Sequence, residues 1–120
     1  MGKILIQETD KSVMEAITFA LEIEGFDVWS FNKCDQEFLY TIEVIKPHVV
    51  LLDYYLDGHL SIEICGLIKQ QHPGLPVIAL SCTDNIIDKY SAYGFSDCIP
   101  KPFDLNFLYE KINAQLPAVL

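Results

Sequence analysis

A polar side chain that can take part in chemistry comes shortly after each of four apolar runs in this sequence. These residues are Glu8, Thr9, Asp53, Ser81 and Lys101. Carboxylate and hydroxyl oxygens suit a hard cation such as Mg²⁺, a hydroxyl can hold a phosphoryl oxygen, and an ammonium group pairs with a carboxylate or a phosphoryl group. If these side chains meet, they form a pocket suited to phosphoryl transfer to an aspartate.

The apolar runs predict strands of a parallel sheet. Residues 4–6, 49–52 and 77–80 are apolar without alternation, which is typical of strands that are covered on both faces. Residues 27–31 alternate more, and residues 98–99 form only a short run. Both of these segments fit strands nearer the edges of the sheet.

Apolar residues at helical spacing follow the predicted strands. The predicted helices run from Asp10 or Ser12 to Gly25, from Asp35 to before Pro47, from Ser61 to near Pro73, from Asp84 to about Tyr93, and from Asp104 onward. The fourth helix is short and weakly specified. The pattern predicts a single α/β domain over residues 1–120, a (βα)5 three-layer sandwich with a five-stranded parallel sheet.

This fold brings the chemical residues to one edge. In open parallel sheets, ligands bind beyond the carboxyl ends of the strands. Asp53 ends the most apolar strand, yet at that edge its charge faces a site rather than the core. We therefore expect Glu8, Asp53, Ser81 and Lys101 to surround one point, with space for a cation and a phosphoryl group.

Composition excludes several classes of function. The chain of 120 residues has a formal net charge of -9 and no arginine, so it lacks the basic field and the planar donors that nucleic acids usually require. No apolar run approaches ~18 residues, the length of a membrane span. The start "MGKILIQETD" becomes polar too early for a secretory signal. We expect a cytoplasmic protein without direct contact to nucleic acid or membrane.

The cysteines do not indicate a metal site. The sequence has four, with no CxxC pair and no spacing typical of zinc ligands. We interpret most of them as buried reduced thiols that pack as small apolar residues.

The motifs "LLDYYLDG", "PVIALS" and "IPKPFD" resemble those of the receiver domain of two-component response regulators, and the resemblance covers essentially the whole chain. It implies a flavodoxin-like fold with the strand order 2-1-3-4-5. By this resemblance Asp53 is the phosphoacceptor, Ser81 is the switch hydroxyl and Lys101 is the phosphoryl-sensing lysine. The resemblance also implies a cis peptide bond between Lys101 and Pro102.

The same resemblance implies a metal ion and protein partners. Glu8, Thr9, Asp53 and the backbone carbonyl of Tyr55 would bind Mg²⁺. A histidine kinase or a histidine phosphotransfer protein would donate the phosphoryl group to Asp53, and a downstream effector protein would receive the signal by contact. The domain would be a phosphoacceptor in signalling rather than a turnover enzyme.

Three features depart from the pattern of the family. Thr9 stands where the family usually has a second acidic residue, so we expect Mg²⁺ to bind weakly. Cys98 replaces the usual aromatic residue before the lysine, and a thiol is too small for the inward swing of a ring. The segment between Ser81 and Lys101 is shorter than usual, which agrees with the weak fourth helix.

These departures leave an alternative open, a pseudo-receiver: an interaction module of the same fold that is poorly or never phosphorylated. A flavin-binding protein is a more distant alternative, because no phosphate loop rich in Ser, Thr and Gly follows the first strand. Formation of a homodimer through the fourth helix also stays open, since no residue pattern decides it.

Overall fold

The computed structural model describes residues 2–55, 58–83 and 86–117, and in these residues five strands and four helices form, with a helix after each strand except the fourth. The elements are β1 (Lys3–Gln7), α1 (Lys11–Ile23), β2 (Asp27–Phe31), α2 (Gln36–Ile45), β3 (Val49–Tyr54), α3 (His59–Gln71), β4 (Val77–Ser81), β5 (Asp97–Pro100) and α4 (Leu105–Gln115). All strand pairs are parallel, in the order β2-β1-β3-β4-β5. The flavodoxin-like fold and its strand order are confirmed. None of the helices in these residues is long and apolar enough to span a membrane.

The core consists of two apolar layers, one on each face of the sheet. On one face the buried helical side chains come from α1 and α4, and they include Ile17, Leu21, Leu108 and Ile112. On the other face they come from α2 and α3, and they include Phe38, Ile42, Ile64, Cys65 and Ile68. All residues of β3 are buried, because this central strand is covered on both sides.

An aspartate cap fixes the chain between β1 and α1. Asp10 Oδ1 accepts hydrogen bonds from the backbone N–H groups of Ser12 (2.9 Å) and Val13 (3.2 Å). Asp10, and not Ser12, is therefore the N-cap of α1. Only Glu8 and Thr9 lie between the strand and the cap, so the cap limits the positions that these two residues can take.

The predicted helix over residues 84–93 does not form in the part of it that the structure describes. Residues 86–94 make turns, in which Tyr90 N–H donates to the Ile86 carbonyl at 2.8 Å without continuing as an α-helix. Isoleucine, tyrosine and serine make up much of this segment and have low helix propensity, and such a short helix is marginal by itself. Asp84, the predicted start, lies outside the described residues.

The turn that leads into α3 requires a glycine. Gly58 caps this helix with φ +78°, and a Cβ there would overlap the ring of Tyr54. We predict that Gly58→Ala lowers the free energy of unfolding by about 2 to 4 kcal/mol, because it combines backbone strain with overpacking. Chemical denaturation followed by circular dichroism measures this change.

Gly66→Ala in the same helix is the matched control. A Cβ at Gly66 meets no atom within 4 Å, so this change should raise the free energy of unfolding by about 0.5 to 1 kcal/mol through helix propensity. Equal effects of the two substitutions would contradict the role of Gly58.

Candidate functional site

Three charged side chains meet at the carboxyl edge of the sheet. The Lys101 ammonium lies 2.7 Å from Glu8 Oε1 and 3.1 Å from Asp53 Oδ1. Glu8 follows β1, Asp53 lies near the end of β3 and Lys101 follows β5, so each comes from a different strand. The predicted convergence is found for these three residues, which we refer to as the triad.

Backbone donors hold the other carboxylate oxygens of the triad. Asp10 N–H donates to Glu8 Oε2 at 2.8 Å, and Thr9 N–H donates to Asp53 Oδ2 at 3.2 Å. Glu8 is 1% exposed and Asp53 is 4% exposed, so both charges depend on these partners rather than on water. Each carboxylate oxygen of the triad therefore has a hydrogen-bond donor.

The surroundings of Lys101 keep its ammonium group charged. Burial by itself lowers the pKa of this group, but the hydrogen bonds to Glu8 and Asp53 and the charges of these carboxylates outweigh burial. The pKa is therefore raised from its ordinary value of 10.5. Because the pKa is raised in the folded state, the ion pairs stabilise the fold at neutral pH. This stabilisation is lost only as the pH rises through the raised value.

The Ser81 hydroxyl makes no hydrogen bond to the triad. It donates to the Thr83 carbonyl at 3.0 Å and accepts from the Thr83 N–H at 3.1 Å, which is the local bonding of a hydroxyl after a strand. The hydrogen bonds of this hydroxyl are thus local, and the role of Ser81 as the switch hydroxyl stays a prediction. Its carbonyl lies nearby, because it accepts a hydrogen bond from Lys101 N–H at 2.6 Å.

The peptide bond after Lys101 has the geometry that the resemblance implied. The bond between Lys101 and Pro102 is cis. It lies directly after β5, at the edge where the triad meets.

The predicted metal-side residues Thr9 and Tyr55 both line a cleft of about 860 Å³ beside the triad. Thr9 contacts Asp53 through its backbone N–H. The Tyr55 carbonyl accepts a hydrogen bond from Gly58 N–H at 2.9 Å. Both residues are thus at the site, but their recorded contacts are hydrogen bonds of the backbone.

Apolar side chains form much of the wall of this cleft. Val13 and Ala16 of α1 line one part, and Phe103, which precedes α4, and Leu105, its first residue, line another. An apolar cleft that opens on buried charges is the kind of place where a protein or ligand can exclude water from a reaction.

The sequence predicted Ser61 only as the first residue of a helix. In the structure, Ser61 contacts β3, the strand that contains Asp53. Its hydroxyl donates to the Asp53 carbonyl at 2.6 Å and accepts from Tyr55 N–H at 3.2 Å. Ser61 is 4% exposed. The signal in the sequence was a polar residue in register with the apolar stripe of a helix.

The four cysteines are free. Burial raises the pKa of the Cys65 and Cys98 thiols to about 11, and burial together with nearby carboxylates raises the pKa of Cys34 to about 12. The interpretation as buried reduced thiols therefore holds for Cys65 and Cys98, whereas Cys34 is half-buried. Cys82 is exposed.

The family of this chain follows from a comparison with known proteins. Residues 4–113 match the family model of the response regulator receiver domain. The chain belongs to this family. The receiver domain is a signalling domain, and its triad lies at the strand ends where the sequence motifs had placed it.

Solved response regulators share the fold of this receiver domain. TrrA from Thermotoga maritima, solved in complex with Mg(2+)-BeF, has a TM-score of 0.84 and 22% identity, covering 97% of this chain and 100% of that chain. A two-component response regulator from Clostridium difficile has a TM-score of 0.83 and 26% identity, covering 96% of this chain and 95% of that chain. NtrX from Brucella abortus has a TM-score of 0.82 and 30% identity over 96% of this chain, but only 27% of the NtrX chain is covered.

The triad generates a prediction about stability. We expect Lys101→Met to lower the free energy of unfolding by about 3 to 5 kcal/mol, because it leaves two buried carboxylates without their cation. Methionine keeps most of the side-chain volume, so the effect reports on charge. Urea denaturation at pH 7 measures it.

Lys111→Met is the matched control for Lys101→Met. Lys111 Nζ lies 3.2 Å from Asp97 Oδ2, but this pair is more exposed to water, and its loss should cost less than about 1 kcal/mol. Equal losses in the two variants would show that the buried carboxylates do not depend on Lys101.

Proposed function

We propose that this receiver domain accepts a phosphoryl group on Asp53 from the phosphohistidine of a histidine kinase or a histidine phosphotransfer protein. The observation that carries the proposal is the Asp53 carboxylate, held 3.1 Å from the Lys101 ammonium at the rim of the cleft. A carboxylate with a fixed cation beside it suits in-line phosphoryl transfer. The domain then signals by contact with a downstream effector protein and is not a turnover enzyme.

In the proposed transfer, a carboxylate oxygen of Asp53 attacks the phosphorus atom of the phosphohistidine. An O–P bond forms, the P–N bond breaks, and the electron pair of the broken bond returns to the imidazole nitrogen. No general base is needed, because Asp53 enters as a carboxylate paired with Lys101 and with Thr9 N–H. The Lys101 ammonium then pairs with the added phosphoryl oxygens.

The proposed signal begins at Ser81. Its hydroxyl donates its one proton to the Thr83 carbonyl, so this hydrogen bond must break before the hydroxyl can donate to a phosphoryl oxygen. An acyl phosphate carries more negative charge than a carboxylate and attracts a hydroxyl donor. The turn between Ser81 and Thr83 would rearrange as a result, and the segment after it would follow.

The pocket fits one divalent cation that is held weakly. Glu8 and Asp53 can supply carboxylate oxygens and Tyr55 a backbone carbonyl, which are ligand types that Mg²⁺ prefers. Two facts oppose tight binding: Lys101 already bridges both carboxylates, and the described residues contain no group of three or more His, Cys, Asp or Glu suited to a metal. When bound, the ion would neutralise charge on the phosphoryl oxygens. TrrA, which has a similar fold, was solved in complex with Mg(2+)-BeF, and this supports a role for Mg²⁺ in the proposed function.

The same hydrogen bonds favour a second candidate function, a pseudo-receiver that binds partners without being phosphorylated. The carboxylate oxygens of Glu8 and Asp53 already have donors, and the Ser81 hydroxyl is bonded to Thr83. A pocket in which each carboxylate oxygen already has a hydrogen-bond donor is complete without a phosphoryl group. For either function we propose a cytoplasmic location and no direct contact with nucleic acid or membrane.

Incubation with acetyl phosphate and Mg²⁺ tests the proposed function. We expect the intact mass to increase by one phosphoryl group, and Asp53→Asn to abolish the increase because an amide is not a nucleophile here. Asp88→Asn changes an exposed aspartate, so it should leave the increase unchanged. No mass increase during long incubation with millimolar Mg²⁺ would support the pseudo-receiver instead.

Thr9→Asp tests why the metal would bind weakly. We expect this change to raise the affinity for Mg²⁺ about tenfold, because an added carboxylate ligand contributes roughly 1 to 2 kcal/mol after desolvation. Valine has the shape of threonine and lacks the charge of aspartate, so Thr9→Val should change the affinity for Mg²⁺ less than about twofold. Isothermal titration calorimetry of the unphosphorylated protein measures both. An unchanged affinity in Thr9→Asp would mean that this position does not face the ion.

A further inference from the structure

Ser61 is the polar member of an otherwise apolar helix stripe. The buried residues of α3 are Ser61, Ile64, Cys65 and Ile68, which recur at the spacing of one helix face. Because Ser61 is 4% exposed, its hydroxyl has to find its partners inside the protein.

The Ser61 hydroxyl does not cap its own helix. The N-cap of α3 is Gly58, which has no side chain to make a cap bond. The Ser61 hydroxyl instead donates to the Asp53 carbonyl at 2.6 Å and accepts from Tyr55 N–H at 3.2 Å. These partners lie eight and six residues earlier in the chain, at the end of β3.

The two hydrogen bonds hold the backbone next to the nucleophile. One involves the carbonyl of Asp53 itself and the other the amide of Tyr55, so the peptides on both sides of Tyr54 are held. The Tyr54 ring is buried and meets Phe95 edge-on, with ring centroids 6.2 Å apart, in the apolar cluster that also contains the buried aliphatic residues of α3, and this packing further restrains the same stretch. The Asp53 carboxylate therefore projects from a backbone that is fixed on its C-terminal side.

We propose that Ser61 is a positioning residue for phosphoryl transfer to Asp53 and for the Tyr55 carbonyl on the metal side of the pocket. This inference rests on the proposed function. Ser61 does not touch the reacting atoms and acts through the backbone that it holds. In-line attack tolerates little displacement, since an error of about 1 Å can cost roughly 10²-fold in rate. Lys101 and Thr9 N–H also hold the carboxylate, so losing the Ser61 hydroxyl removes part of the rate rather than all of it.

The test compares Ser61→Ala with Ser61→Thr, which keeps a hydroxyl. The rate of phosphorylation by acetyl phosphate, the Mg²⁺ affinity of the unphosphorylated protein and the free energy of unfolding are measured for each variant. The rate of phosphorylation is measured for each variant at a temperature at which all of the variants are folded. We expect Ser61→Ala to lower the rate about tenfold and the Mg²⁺ affinity about threefold, and Ser61→Thr to restore most of both.

Ser96→Ala is the matched control. The Ser96 hydroxyl accepts a hydrogen bond from Val77 N–H at 3.4 Å, at the start of β4 and therefore at the opposite edge of the sheet. Its removal should change the free energy of unfolding without changing the rate or the Mg²⁺ affinity.

The outcomes separate the role of Ser61 from the proposed function. Phosphorylation of Ser61→Ala at the wild-type rate would overturn the positioning role and leave Asp53 as phosphoacceptor. Equal loss of rate in Ser61→Ala and Ser96→Ala would also overturn that role, because the rate would then follow stability alone. A wild-type protein that takes up no phosphoryl group would overturn the proposed function, and the role of Ser61 in transfer with it.

Discussion

One ammonium group between two buried carboxylates is the constraint on which this receiver domain depends. Lys101 follows β5, which is two positions from β3 and three from β1 in the sheet, so only a long side chain reaches across β4 to both carboxylates. Burying Glu8 and Asp53 together without a cation would cost about 3 to 5 kcal/mol. The ends of three strands therefore have to be aligned, and the bond from Lys101 N–H to the Ser81 carbonyl supplies part of that alignment.

The charge of the triad explains why a cation and a phosphoryl group would depend on each other in this pocket. Before transfer the triad carries one net negative charge, and Thr9 adds none. A divalent cation would reverse the sign of the pocket, whereas an acyl phosphate would make the pocket more negative. The two additions offset each other. By this count of charges, the pocket would attract the ion more strongly after transfer than before, and threonine in place of a second carboxylate would weaken that attraction in both states.

Apolar runs, and the rule that ligands bind where parallel strands end, were enough to predict the sheet and the triad. The strand order came only from the resemblance. The hydrogen bonds of the site could not be predicted, because they depend on contacts that the types of the residues do not determine. The carboxylates are held partly by backbone N–H groups, which every residue except proline has. The direction of the Ser81 hydroxyl depends on the turn that follows it, and Ser61 reaches a partner eight residues away. The helix predicted over residues 84–93 had the right apolar spacing, but too little propensity and length to form.

The segment between β4 and β5 is where phosphorylation, as proposed, would change the surface that a partner meets. Contacts at both ends connect the described part of this segment to the site: the Ser81 hydroxyl bonds to the Thr83 backbone at its start, and the Tyr54 ring packs on Phe95 at its end. Cys98 is too small to exchange volume with a ring, so contacts such as these would transmit the change in place of an aromatic swing. Because the described part of the segment lacks the continuous hydrogen bonds of a helix, it costs less to rearrange. An effector would then recognise a surface that forms when the turn at Ser81 opens, rather than one that a preformed helix displays.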